Sequence, residues 1–226
     1  NYSIFNMNKN LSYYIIAGET SGDQHGGMLM KELKNLNSSI TFYGIGGKKM
    51  EENGLNSLYP LTELSVMGFW EVLKKLTFFK KLERDILREI NKLQPDKIIL
   101  IDYPGMNLRL AKKIKKTTAI PITYYITPQV WAWKENRVET LRNYIDQRLV
   151  IFPFEKDWFA KRNITVNFVG HPFFDEWKSG DKGKLRTKLN LNKNDIVLVL
   201  FPGSRIQELQ RHLNLFIVVS LLVKNK

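Results

Sequence analysis

With 226 residues, 43% of them hydrophobic and 12% aromatic, the chain holds one large domain or one domain and part of another, and is too apolar to be disordered. Cysteine is absent and histidine occurs three times, at positions 25, 171 and 212, which excludes a disulfide framework, a thiolate metal site and a His-rich metal cluster. The net charge of +13 suits an anionic membrane, a phosphorylated substrate or nucleic acid, and a lysine-rich composition alone would also produce it.

The first ten residues, NYSIFNMNKN, lack the apolar core and small-residue cleavage site of a secretory signal, and Met7 reads as a start with residues 1–6 upstream of it. No apolar run approaches the ~18–20 residues that cross a bilayer, so a soluble or peripheral protein is expected. Residues 12–17 (SYYIIA) are a short apolar strand that runs into a Gly-Glu-Thr-Ser-Gly-Asp loop, and 24–36 is amphipathic with helical spacing. A second apolar run at 40–43 leads to GIGG at 44–47. Over 69–93 the apolar positions Phe79, Leu82, Ile86, Ile90 and Leu93 keep helical spacing, and Pro95 ends the helix. KIILID (97–102) is a fully buried strand ending in an aspartate, followed by a helix over about 107–116. A strand at 121–126, the TPQVWAW loop and a polar helix near 134–144 come next. A strand at 147–152, a helix opened by PFE and a short strand at 166–169 ending in GHP complete the series.

Continuous apolar strands alternating with helices predict an α/β fold, a Rossmann-like parallel sheet covered on both faces. Ligands then bind at the carboxyl ends of the strands, where these loops lie. Residues 178–195 are polar, charged and glycine-containing, and mark a boundary between domains at 1–180 and 181–226. Beyond it, IVLVLF (196–201) reads as a fresh strand, followed by PGSR and a helix to about 223. One such unit cannot bury both of its faces, so the second domain reads as incomplete.

The loop AGETSGDQHG (17–26) has Gly18 and Gly22 for a sharp turn, and Ser21 or Asp23 to cap the helix that follows. It is neither GxGxxG nor a Walker A loop, which disfavours a nicotinamide cofactor or a P-loop nucleotide. Glu19 is a charge that a purely structural turn would not need. Asp102, at a strand's carboxyl end, faces the ligand crevice as a general base or caps the next helix; sequence alone leaves both open. Trp131 and Trp133 stack on a ligand or belong to the core, with core the better reading for at least one. His171 in VGHP reads as a structural histidine, with acid–base work the alternative. PGSRIQEL (202–209) puts Gly203, Ser204 and Arg205 at a helix N-terminus, a good place for a diphosphate. VMGFWEVLKKLTFFKK (66–81) interleaves Phe69, Trp70, Leu73, Phe78 and Phe79 with lysines, which reads as an interfacial membrane segment.

Eight segments stand in order between about residues 13 and 210: AGETSGDQHG, GIGGKKM, LSVMGFWEVL, PDKIILIDYPGMN, YYITPQVWAWKENRV, FPFEKDWF, FVGHPFFD and FPGSRIQEL. Together they resemble the lipid-A-disaccharide synthase family. That resemblance implies a GT-B architecture, two Rossmann-like domains facing across a cleft, and an inverting glycosyl transfer. The donor is UDP-2,3-diacylglucosamine and the acceptor 2,3-diacylglucosamine 1-phosphate; the products are the β-1,6-linked disaccharide phosphate and UDP. Work would take place at the cytoplasmic face of the inner membrane, with a homodimer compatible with the complete protein.

By the same resemblance Asp102 activates the acceptor hydroxyl and Arg205 stabilises the departing diphosphate. Glu19, Ser21, Gly22, Asn107, Gln129 and Ser204 bind substrate, and Phe69, Trp70, Leu73, Phe78 and Phe79 contact the membrane. No metal and no cofactor is expected, because cationic side chains and helix dipoles take that part, and no nucleic acid is expected, because the lysines are spread along the chain. Gly105 stands where some members carry a second acidic residue, so Asp102 acts without that neighbour. The family's C-terminal domain continues beyond the matching segments and supplies the uridine-binding loops. The alternative is a non-catalytic half that holds acceptor glycolipid at the membrane.

Overall fold

The computed structural model describes residues 10–61, 72–177, 179–203 and 206–224. Its contacts divide the chain into two units, Asn1–Glu176 and Trp177–Lys226.

The first unit opens with β1 (Ser12–Ala17), α1 (Thr20–Leu36), β2 (Thr41–Gly46), α2 (Lys48–Glu52) and β3 (Leu55–Pro60). It continues with α3 (Val72–Leu93), β4 (Lys97–Ile101), α4 (Pro104–Thr117) and β5 (Ile122–Tyr125). A 3-10 turn (Glu135–Arg137) leads into α5 (Val138–Tyr144), then β6 (Gln147–Val150), α6 (Phe154–Ala160), β7 (Asn167–Phe168) and α7 (Phe173–Glu176). Among the described residues the strands form one seven-stranded sheet in the order β3-β2-β1-β4-β5-β6-β7, with every pairing parallel.

Alternation along each strand fixes the two faces. Tyr14 and Ile16 of β1 with Ile98 and Leu100 of β4 meet Leu82, Ile86 and Ile90 of α3 and Leu110 and Ile114 of α4 on one side. Tyr13, Ile15 and Ala17 with Ile99 and Ile101 meet Met30 of α1 and Met50 of α2 on the other. Glu83, 4% exposed, ties α3 to α4 by accepting from Arg109 at 2.9 Å and Lys113 at 2.5 Å. Chain order reverses between β1 and β4, so their carboxyl ends diverge and open the crevice in which such sheets bind ligands.

Phe78 and Phe79 are half-buried and pack against the α3 side of the core, ring to ring at 5.7 Å and with Tyr59 at 6.2 Å from Phe78. Adjacent aromatics on a helix diverge by only about a quarter turn, so one broad apolar stripe partly buries both, and membrane contact through the part of each ring left exposed stands as an expectation. Phe69 and Trp70 lie outside the described residues, as does the side chain of Leu73. β3 was not anticipated, because LNSLYP mixes polar and apolar residues at a sheet edge.

The second unit contains α8 (Lys182–Lys188) and α9 (Ile206–Lys224). Asp181 caps α8, accepting from Gly183 N at 2.8 Å and Lys184 N at 3.2 Å. The strand expected at 196–201 does not form; these residues have no regular secondary structure. A strand needs a partner edge for its N–H and C=O groups, and among the described residues of this unit no other segment is extended and paired.

Candidate active site

The loops after β1, β4 and β5 converge at the carboxyl end of the sheet. α1 begins directly after Glu19, its N-cap, and neither Ser21 nor Asp23 caps it. Asp23, 5% exposed, instead accepts from Gly47 N at 2.8 Å, Met50 N at 3.0 Å and Lys49 N at 3.1 Å. It thereby caps α2 across space and fixes the β1 and β2 loops to each other. Gly18 permits another close approach: a Cβ there would stand 2.3 Å from the Tyr103 ring, so the β4 loop folds directly over the β1 loop.

Asp102 and Tyr103 both occupy left-handed backbone, with φ of 42° and 47°, and Pro104 then starts α4. No side chain caps that helix, which removes the capping role left open for Asp102. The unusual backbone is held by two donors on one carbonyl: Asp102 O accepts from Tyr124 Oη at 2.6 Å and Asn107 Nδ2 at 2.7 Å. Asn107 Nδ2 also reaches Ile101 O at 3.1 Å. Asn107 is fully buried, so it supports the site from beneath and does not line it. Gly22 is also a packing residue, buried where a Cβ would meet Ala17 Cβ at 3.3 Å. Strained backbone at a strand end, restrained by buried donors, aims the Asp102 carboxylate outward.

A cavity of about 260 Å³ lies at this point, lined by Asp102, Pro104, the 126–130 loop, Trp133 and Arg137. Gln129 is exposed on its wall. Burial pushes the Asp102 carboxyl above the ordinary carboxylate range, the Glu19 charge pushes it further, and the Tyr103 backbone N–H partly opposes them. Glu19 also raises the Tyr103 phenol, after burial, so the carboxylates of the β1 and β4 loops sense each other across the switch point.

The tryptophans divide. Trp131 is half-buried and donates its indole N–H to Glu155 Oε1 at 3.1 Å, while Trp133 is 61% exposed at the cavity. Glu155 is fully buried, and its Oε2 accepts from Phe152 N at 2.9 Å and Ile151 N at 3.2 Å. One carboxylate thus anchors the tryptophan loop to the end of β6. The sequence reading missed it because PFE looked only like a helix start. His171 accepts from Phe173 N at 3.2 Å, sits edge-on to His25 and Phe174 and is tilted against Phe152, consistent with its structural reading. Ser21 is exposed in the first turn of α1, and Ser204 and Arg205 lie outside the described residues. Among the described residues no cluster of three metal-ligating side chains occurs, and no helix is long and apolar enough to cross a membrane.

A family model described as lipid-A-disaccharide synthetase matches residues 13–226. Lipid-A-disaccharide synthase 1 of Legionella pneumophila (strain Lens) is 40% identical over 210 residues, covering 92% of this chain and 55% of that protein. Lipid-A-disaccharide synthase of Granulibacter bethesdensis is 41% identical over 204 residues, 90% of this chain and 52% of that protein. The chain therefore spans about half the length of the curated relatives it matches. Among solved structures, UDP-GlcNAc 2-epimerase from Neisseria meningitidis, bound to UDP-GlcNAc, superposes with a TM-score of 0.55 at 12% identity, over 73% of this chain and 47% of that one. At that identity the likeness is one of fold alone.

Proposed function

The chain belongs to the lipid-A-disaccharide synthetase family, and on that premise we infer that it carries the acceptor-activating half of an inverting glycosyltransferase of lipid A assembly. The acceptor is 2,3-diacylglucosamine 1-phosphate and the donor UDP-2,3-diacylglucosamine. The observation that carries this reading is Asp102, a carboxylate of raised basicity at the switch point, facing a cavity of about 260 Å³.

The Asp102 carboxylate takes the proton from the acceptor's 6-hydroxyl as that oxygen attacks C1 of the donor sugar. The new C1–O6 bond forms on the face opposite the leaving group, which inverts the anomeric centre. The C1–O bond to the diphosphate breaks, and its electron pair leaves on UDP. A carboxylate pushed above its ordinary range is the stronger base for this task, provided it is ionised at the working pH. Glu19 raises that basicity, and Gln129 orients the sugar from the cavity wall. Ser21 adds a hydroxyl at the first turn of α1, where free backbone N–H groups favour negative charge.

Ser204 and Arg205 of the second unit are assigned to the donor, with the arginine stabilising charge on the departing diphosphate. That unit is read as the start of the nucleotide-sugar half. The enzyme works at the cytoplasmic face of the inner membrane, held there by its +13 charge and by Phe69, Trp70 and Leu73. A homodimer of the complete protein is part of the same reading.

Release of UDP on mixing the protein with both lipids tests the reaction, and Asp102→Asn is expected to lower turnover by at least ~100-fold, the usual contribution of a general base. Turnover within twofold of the unsubstituted protein would remove Asp102 from the mechanism.

A further inference from the structure

The cavity also contains a cation that proton transfer does not use. Arg137 ends the 3-10 turn, its side chain is half-buried, and it lines the same cavity as Asp102. Nearby arginines have carboxylate partners: Arg142 pairs with Glu139 and Arg162 with Glu135. Among the described residues no carboxylate lies within ion-pair distance of Arg137.

Its guanidinium lies over the Trp133 ring, 5.3 Å from the centroid, and Lys134 Nζ stands 4.4 Å from the same centroid. Local backbone makes this cluster: Lys134 has a left-handed φ of 58°, which reverses the chain into the 3-10 turn and returns Arg137 to Trp133. Arg137 is not the counter-ion of Asp102. The Asp102 carboxyl is pushed up by burial and by Glu19, whereas the Arg137 charge acts to draw down the buried Tyr124 phenol.

A half-buried guanidinium loses hydration without gaining an ion-pair partner, and an anion entering the cavity restores that interaction. Guanidinium matches phosphate oxygens in a bidentate fork, and an exposed indole face receives the C–H face of a sugar ring. Both features share one cavity with the base. We propose that Arg137, Lys134 and Trp133 form a subsite for a phosphorylated monosaccharide, Arg137 taking the phosphate and Trp133 the ring. This rests on the glycosyl-transfer reading and adds which residues hold the anionic end of the acceptor.

Calorimetric titration of the full chain with N-acetylglucosamine 1-phosphate, and separately with N-acetylglucosamine, tests it. The phosphorylated sugar is expected to bind at least ~10-fold more tightly, equivalent to about 1.4 kcal/mol. Arg137→Gln removes that preference while affinity for the neutral sugar stays within twofold, Arg137→Lys restores part of it, and Trp133→Ala weakens both ligands. Equal affinity for the two sugars, no binding of either at millimolar concentration, or an undiminished preference in Arg137→Gln would overturn the subsite. Loss of turnover in Asp102→Asn would in that case leave the glycosyl-transfer reading standing. A phosphate preference abolished by Arg137→Gln, beside unchanged turnover in Asp102→Asn, upholds the subsite and removes the transfer chemistry.

Discussion

Glu155 tests whether the tryptophan loop is positioned from below. Its two carboxylate oxygens accept three hydrogen bonds, from Trp131 Nε1, Ile151 N and Phe152 N, in a place with no solvent access. Glu155→Ala removes both acceptor oxygens and takes this partner from two backbone N–H groups and the Trp131 indole N–H. Each buried donor so orphaned costs ~1–3 kcal/mol, which gives a total loss of about 3–5 kcal/mol once partial rehydration is allowed. For a domain of this size each kcal/mol lowers Tm by ~2–4 °C, so a fall of roughly 6–20 °C is expected. Glu155→Gln is more selective. Its remaining oxygen serves the backbone pair and its NH₂ then meets the Trp131 N–H, a donor against a donor, for a loss of ~1–3 kcal/mol concentrated at the loop. Urea unfolding followed by circular dichroism measures both losses, and titration with N-acetylglucosamine reports the loop. If Glu155→Ala unfolds within about 0.5 kcal/mol of the unsubstituted protein, the carboxylate does not anchor the loop and the reasoning fails.

Glu19→Gln removes the charge that raises Asp102 after burial, so the acid limb of the pH–rate profile moves to lower pH; burial, the larger cause, keeps the shift partial, and an unmoved limb refutes the coupling. Because Asp102 binds its proton more tightly when folded than when unfolded, its ionisation costs folding stability as pH rises. Asp102→Asn is therefore expected to raise Tm at neutral pH while it lowers turnover; a lowered Tm would contradict the assigned direction. Asp23→Ala uncaps α2 and is expected to cost ~1–2 kcal/mol in chemical denaturation, with no loss expected if Asp23 only coats the surface. Phe79→Ser, at a half-buried core-facing position, lowers Tm by several degrees, and an unchanged Tm would refute the core packing.

Most strands were legible because each is a short apolar run bounded by glycine, proline or an acidic residue, and the order of loops at their carboxyl ends followed. KIILID gave both the central strand and the residue facing the crevice. IVLVLF failed by the same rule, since an apolar run records the capacity to pair and not the presence of a partner. That Phe78 and Phe79 both pack partly against the core was not legible, because periodicity does not state how wide a stripe the neighbouring sheet covers.

The sequence by itself determined a parallel α/β sheet, the chemistry of its loops and the candidacy of Asp102, since side-chain period and turn composition are local properties. Tertiary structure alone decided that Glu19 raises Asp102, that Asp23 caps a helix starting 25 residues later, and that Glu155 holds a tryptophan 24 residues before it. It alone brought Arg137 into the cavity with Asp102. Those relations depend on which strands become neighbours, and the order 3-2-1-4-5-6-7 is fixed by burial of the whole sheet between its helices, a condition that no local window of residues contains.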